Sequence, residues 1–375
     1  MRWEFSTAQR VVFGEGTVRE VGPAASELGR RTLLVAGLAR EAPFAAAARF
    51  EVRGEPTIEL VRRGLEVARR EECDVVVGFG GGSAIDAAKA IAAMIENPGD
   101  PLDYLEVIGA GKPLARPAAP CIAVPTTAGT GAEVTRNAVL GSGEHRFKAS
   151  LRSPYLLPRL AVVDPELTLD LPPEVTASTG LDALTQLIEP YVSVRATAMT
   201  DLFSLDGMRC AAQSLERAFL DGSDREARAG MCRASLLGGM SLANAGLGAV
   251  HGFAAPIGGM FQAPHGSVCA ALLPHVMEAN IRALQARQPE GEALRRCQRV
   301  ARVLTGDAAA RAEDGVEWVR GICARLRIPS LGTYGIGPPD VSTLVEKARQ
   351  ASSMKGNPIE LTAEELRDVL GRALI

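Results

Sequence analysis

Two of the four histidines, His251 and His265, fall in one apolar, glycine-rich stretch from Gly248 to Pro274 (GAVHGFAAPIGGMFQAPHGSVCAALLP). An imidazole among small side chains finds few polar partners, so a buried ring there needs a proton acceptor, a backbone group or a metal. Upstream, Thr179 to Glu189 (TGLDALTQLIE) reads as a helix that sets Asp182 and Gln186 at i and i+4, on one face. Two oxygen donors from one helix and two imidazoles from another segment make a four-point site for a divalent ion. The same residues have ordinary readings as well. A histidine in an apolar segment commonly bonds to backbone, and Asp182 can cap or pair.

A second chemistry is written in glycines. Gly80, Gly81, Gly82 and Ser83 come directly after the apolar run Asp74 to Gly78 and directly before a helix over Ala84 to Ile95. Glycines at that position let backbone N–H groups approach a phosphate, and the helix start adds its unsatisfied donors and positive dipole end. Ser83 is expected to cap the helix and touch the phosphate, with Asp86 and Lys89 supplying polar groups near the same mouth. A tight turn would use the same glycines. The turn Thr126-Thr127-Ala128-Gly129-Thr130-Gly131-Ala132-Glu133 follows the run Ile122 to Pro125 and offers hydroxyls for the other lip of such a crevice. Its alternative is a hydroxyl-capped turn with Glu133 closing a capping box on Thr130. Lys148 is a solvated lysine by default and a ribose or phosphate contact if it lies beside these loops.

The elements that must hold these residues alternate in the first half. Short β-branched runs at Thr32 to Gly37, Asp74 to Gly78, Cys121 to Pro125, Ala138 to Leu140 and Leu160 to Asp164 are separated by helical sequence, a βαβ rhythm that predicts a parallel-type sheet with covering helices. Arg10 to Phe13 alternates weakly and ends in glycines, which suits an edge strand able to pair with a second subunit. After Leu171-Pro172-Pro173 the pattern turns helical to the C-terminus. The prolines preset a first helical turn, so the reading is an α/β domain over 1–172 and an all-helical one over 173–375.

Composition narrows the function. A net charge of -3 offers no basic footprint for nucleic acid, and no apolar run is long enough for a membrane span. The N-terminus lacks the apolar centre of a signal peptide, and the seven scattered cysteines, without a CxxC, suit reduced thiols used for packing. Both point to the cytoplasm.

In order and spacing, Gly80-Gly81-Gly82-Ser83 with Asp86 and Lys89, the Pro125 to Glu133 turn, Asp164-Pro165-Glu166-Leu167, Gly180-Leu181-Asp182-Ala183-Leu184, His251 and Pro264-His265-Gly266 resemble the iron-containing (group III) alcohol dehydrogenases of the dehydroquinate synthase-like superfamily. The resemblance runs from about residue 5 to the C-terminus. It implies a Rossmann-like α/β dinucleotide-binding domain followed by an all-α domain, a ferrous or zinc ion, and dimers formed through the N-terminal strand. It assigns the metal to Asp182, Gln186, His251 and His265, and NAD or NADP to Gly81, Gly82, Ser83, Asp86, Thr126, Thr127, Thr130 and Lys148.

Three departures qualify it. Gln186 stands where the family has a histidine, and an amide oxygen is a weaker, harder donor. Ala255 replaces a histidine that many members use to relay the proton. Gly37 stands where NAD-preferring members place an aspartate that repels a 2'-phosphate, so NADP is admitted, with Arg40 near enough to turn toward it. The function implied is an NAD(P)-dependent, metal-assisted alcohol dehydrogenase or aldehyde reductase acting on a small polar alcohol or aldehyde. A metal-independent reductase of the maleylacetate reductase type, a lyase of the dehydroquinate synthase type and a silent nucleotide-binding protein are the alternatives.

Overall fold

A computed structural model describes residues 2–37, 41–145 and 147–375. Its chain divides into two units, Ser6–Leu169 and Asp170–Ile375, the second joined by the N-terminal residues up to Phe5.

The first unit contains strands β1 (Val11–Phe13), β2 (Thr32–Gly37), β3 (Ala48–Val52), β4 (Val75–Gly80), β5 (Cys121–Pro125), β6 (Asn137–Ser142), β7 (Phe147–Arg152) and β8 (Leu160–Val163). Its helices are α1 (Val21–Leu28), α2 (Ile58–Arg70), α3 (Gly82–Glu96) and the short α4 (Pro101–Tyr104). Six strands form one parallel sheet in the order β1-β8-β5-β4-β2-β3. Strands β4 and β5 are buried at every position, as the uninterrupted apolar runs require when helices cover both faces. The alternation of side chains then builds two cores. Leu33, Val35 and Val76 pack with Leu65, Ile91 and Met94 on one face, while Leu34, Ala36, Val77 and Phe79 pack with Val21 and Ala25 on the other.

From β2 the chain goes to β3 on one side and crosses back to β4 on the other, so the order reverses between β2 and β4. Open α/β sheets bind ligands outside the carboxyl ends of strands at such a switch point. Gly37 ends β2 and Gly80 ends β4.

Two expectations change here. The run Ala138 to Leu140 lies in β6, which pairs antiparallel with β7 in a separate two-stranded sheet. Strand β6 ends at Ser142 and β7 starts at Phe147, far short of the dozen or so residues a parallel crossover takes. Strand β3 was hidden in sequence that reads as helical, because an edge strand with alternating exposure (Arg49, Phe50, Glu51) carries charged residues that helices also favour. Strand β1 does lie at the sheet edge, paired with β8.

The second unit is helical: α5 (Pro173–Val192), α6 (Ala198–Leu220), α7 (Arg225–Ala245), α8 (Ala249–Met260), α9 (His265–Arg287), α10 (Glu292–Thr305), α11 (Ala312–Arg325), α12 (Val341–Gln350) and α13 (Ala363–Ala373). Helix α5 starts at Pro173 and is buried along most of its length, with α6, α7 and α9 packed around it. A helix that is apolar on nearly every side becomes the centre of its bundle. Polar groups on α5 are therefore buried groups that need partners. Among the described residues no helix is long and apolar enough to cross a membrane.

Candidate metal centre and cofactor loops

Asp182, Gln186 and Glu189 descend one face of α5, His251 sits in the first turn of α8, and His265 opens α9. Gly266 lets the start of α9 lie against α5, since a methyl built there would come 2.4 Å from the Ser178 carbonyl oxygen. That contact, one turn ahead of Asp182, delivers His265 to the carboxylate.

Asp182 Oδ1 lies 3.4 Å from His251 Nε2 and 3.6 Å from His265 Nε2. Both rings point the same nitrogen at it. On the far side of the first ring, His251 Nδ1 donates to Glu189 Oε2 at 2.7 Å, and Glu189 Oε1 accepts from the Val250 N–H at 2.7 Å. A carboxylate on Nδ1 fixes the tautomer and leaves Nε2 as the free donor atom, the usual second layer of a metal-bound imidazole. Gln186 Nε2 donates to Asp182 Oδ2 at 2.9 Å, which holds the carboxylate by one oxygen and presents the other.

Two atoms in this cluster stand out. Asp182 Oδ1 and Gln186 Oε1 are buried and accept no hydrogen bond. A carboxylate oxygen left so in a core is costly unless a cation meets it. Charge in the cluster bears this out. Burial alone would raise the Asp182 carboxyl, but His265 and His251 beside it bring it below the usual carboxylate range. Burial would lower His251, yet Cys269, Glu189 and Asp182 hold it well above an ordinary imidazole. Cys269 is the largest influence on His265, raising it against burial and, with Asp182, to about 9. The pocket attracts positive charge, and its donor set suits a divalent ion.

Cys269 was read from the sequence as packing, and the structure corrects that. Its Sγ lies 3.8 Å from His251 Nε2 and 3.7 Å from His265 Nε2, and donor atoms of Asp182, His251, His265 and Cys269 all lie within 4.8 Å of one another. The signal was available: Cys269 follows His265 by one helical turn, the same i, i+4 relation that singled out Asp182 and Gln186. Glu189, two turns beyond Asp182, was missed for the same reason.

In the first unit, the loops after β4 and β5 lie side by side. A methyl on Gly82 would come 2.6 Å from Thr130 Oγ1, one on Gly81 would meet Thr127 Oγ1 at 3.4 Å, and the Thr126 N–H donates to the Gly80 carbonyl at 3.0 Å. Gly81, not Ser83, is the N-cap of α3 and provides no side-chain bond, so Ser83 lies inside the first turn. A cap without a side chain leaves the first N–H groups for a ligand.

Other polar residues of this region have structural partners. Asp86 accepts from the Val139 N–H at 3.0 Å and pairs with Lys89 Nζ at 3.0 Å. Lys89 is fully buried and donates to the Ala132 carbonyl at 2.9 Å and Thr135 Oγ1 at 3.1 Å, so it braces the chain after the second loop and does not reach the mouth. The capping box of the alternative reading is not formed: Thr130 Oγ1 accepts from the Ala132 N–H, Gly131 caps a 3-10 turn, and Glu133 is buried within it. Lys148, in β7, pairs with Glu55 at 3.2 Å. Arg40 lies outside the described residues.

Comparison with known proteins shows the family. The model for iron-containing alcohol dehydrogenases matches residues 8–165, and that for the C-terminal part of the same family matches residues 176–374. The chain belongs to the iron-containing alcohol dehydrogenase family. A choline dehydrogenase of Bacillus subtilis (strain 168) is 35% identical over 370 residues, spanning 93% of this chain and 89% of that one. Among solved structures, a 1,3-propanediol oxidoreductase superposes with a TM-score of 0.91 at 31% identity, covering 100% of both chains. A sulfoacetaldehyde reductase from Bifidobacterium kashiwanohense, solved with NAD+, superposes with a TM-score of 0.86 at 26% identity, covering 100% of this chain and 99% of that one. The α/β unit followed by an all-helical unit is the architecture of this iron-containing alcohol dehydrogenase family member, as its sequence implied.

Proposed function

We propose that this chain is an NAD(P)-dependent, metal-assisted alcohol dehydrogenase, running also as an aldehyde reductase, on small polar substrates. The carrying observation is the buried Asp182 oxygen that faces two imidazoles and accepts no hydrogen bond. A divalent ion, Fe2+ or Zn2+, held by Asp182, His251 and His265 would stabilise charge developing on the substrate oxygen, while a bound nicotinamide would give or take the hydride. The protein's part is to hold and orient. Glu189 fixes the His251 ring, Gln186 fixes the Asp182 carboxylate, and His265 keeps a third of its side chain exposed. Ala255 offers no ionisable atom to relay the alcohol proton.

Gly81, Gly82, Ser83, Thr126, Thr127 and Thr130 would hold the cofactor phosphates, with Asp86 and Lys148 fixing the neighbouring hairpin. Gly37 at the end of β2 supports use of both NADH and NADPH. We assign these tasks to a dinucleotide-binding domain over 1–172 and a metal-binding domain over 173–375. All seven cysteines are free thiols, which supports a cytoplasmic enzyme. Relatives named for choline, 1,3-propanediol and sulfoacetaldehyde support small polar substrates, and none supports a metal-independent reductase or a lyase. Consumption of NADH and NADPH over a panel of short polar aldehydes tests the reading. Turnover of at least one aldehyde is expected, and none with any aldehyde or either cofactor would refute it.

A further inference from the structure

We propose that Cys269, not Gln186, completes the metal site, giving a ligand set of one carboxylate, two imidazoles and one thiolate. The inference rests on the metal-dependent reading above. Three observations carry it. Distances come first. Typical metal–nitrogen and metal–sulfur bonds of about 2.0 and 2.3 Å place neighbouring donors of a tetrahedral ion roughly 3.3 to 3.6 Å apart. The four edges are 3.4 and 3.6 Å from Asp182 Oδ1, within that range, and 3.8 and 3.7 Å from Cys269 Sγ to the two Nε2 atoms, slightly beyond it, and all four donor atoms lie within 4.8 Å of one another.

Charge comes second. Asp182, His251 and Cys269 are all buried. With a thiolate the two negative donors of the ligand set match the charge of a divalent ion, and the Glu189 carboxylate lies one layer out on the His251 ring. The third observation is the role Gln186 already has: its amide nitrogen donates to Asp182 Oδ2, the oxygen turned away from the rings' shared contact, and so orients the carboxylate, while its own Oε1 accepts no hydrogen bond and is the competing ligand that the Gln186→Leu variant removes. A thiolate is a soft donor, and its presence shifts preference from iron toward zinc.

The test is the optical spectrum of the protein stripped of metal and reconstituted with Co2+ without oxygen. The expected result is an intense thiolate-to-cobalt charge-transfer band in the near ultraviolet, lost in Cys269→Ser and kept in Gln186→Leu, with visible ligand-field bands showing cobalt bound in both. Bound cobalt without the charge-transfer band in the unaltered protein would overturn this ligand set while leaving the metal-dependent reading intact. A band that survives Cys269→Ser would overturn it too. No cobalt uptake would overturn both.

Discussion

Glu189 does its work through the His251 ring. Its two oxygens are taken by His251 Nδ1 and the Val250 N–H, each at 2.7 Å, so the ring is fixed in orientation and tautomer. Glu189→Gln keeps the shape but loses the charge that favours proton donation from Nδ1. Zinc affinity is expected to fall about 10- to 100-fold, the usual cost of losing such a partner, with the fold intact. Competition against a chromophoric chelator measures it, and unchanged affinity would show that the carboxylate serves packing only. At this scale the sequence was readable where spacing and residue type agree: Asp182, His251 and His265 converge as expected. Cys269 was missed although its spacing from His265 was visible, because a cysteine in an apolar helix looks like packing until its helix is laid beside two others. The contact of the Gln186 amide nitrogen with Asp182 was not legible either, because an amide can turn its oxygen or its nitrogen to a neighbour and only the packed structure shows which.

The switch point between β2 and β4 is a property of elements. Their parallel pairing sets the ends of both strands together, and a side chain added at Gly37 would meet no atom within 4 Å. An aspartate fits there, and its repulsion of a 2'-phosphate is on the order of several kcal/mol before screening. Gly37→Asp is therefore expected to cut kcat/KM for NADPH at least tenfold while leaving NADH nearly unchanged. Steady-state kinetics with both cofactors measure it; an equal effect on the two would show that Gly37 lies away from the ribose. The glycine–threonine loops were legible because strand, glycines and helix follow one another directly. What was hidden at this scale was tertiary. Lys89 sits in a helix whose buried face cannot be seen from alternating alanines, and β6 carries the same β-branched run that a parallel strand would.

For the whole molecule, stability and assembly follow from buried charge and open edges. Burial pushes the Glu133 carboxyl up to about 7, only partly offset by a backbone hydrogen bond and by Lys89. An unfolded glutamate ionises near 4.5. Between these two values the folded chain keeps a proton that the unfolded chain has lost, so this group's contribution falls as pH rises from about 4.5 to about 7 and stays low above. The loss is on the order of 3 kcal/mol. Glu133→Gln, which cannot ionise, should gain stability relative to the unaltered protein at pH 8 compared with pH 5. Urea midpoints at the two pH values measure this, and an equal difference at both would contradict it. Strand β1, at the edge of the sheet, remains our proposed contact between two copies. Light scattering is expected to give twice the chain mass at micromolar concentration, and a single-chain mass would remove the proposal. The change from strand–helix alternation to helices after Pro173 was visible in sequence because it is a change of period, which needs no knowledge of contacts.

Turnover followed as metal is titrated back into the stripped enzyme bears most directly on the claim that this chain works through an ion at Asp182, His251 and His265. Rates of NADH consumption should start near zero, rise in proportion to added Zn2+ or Fe2+ and level off at one ion per chain, and His265→Ala should remain inactive throughout. Full turnover in protein shown by elemental analysis to hold no metal would contradict it.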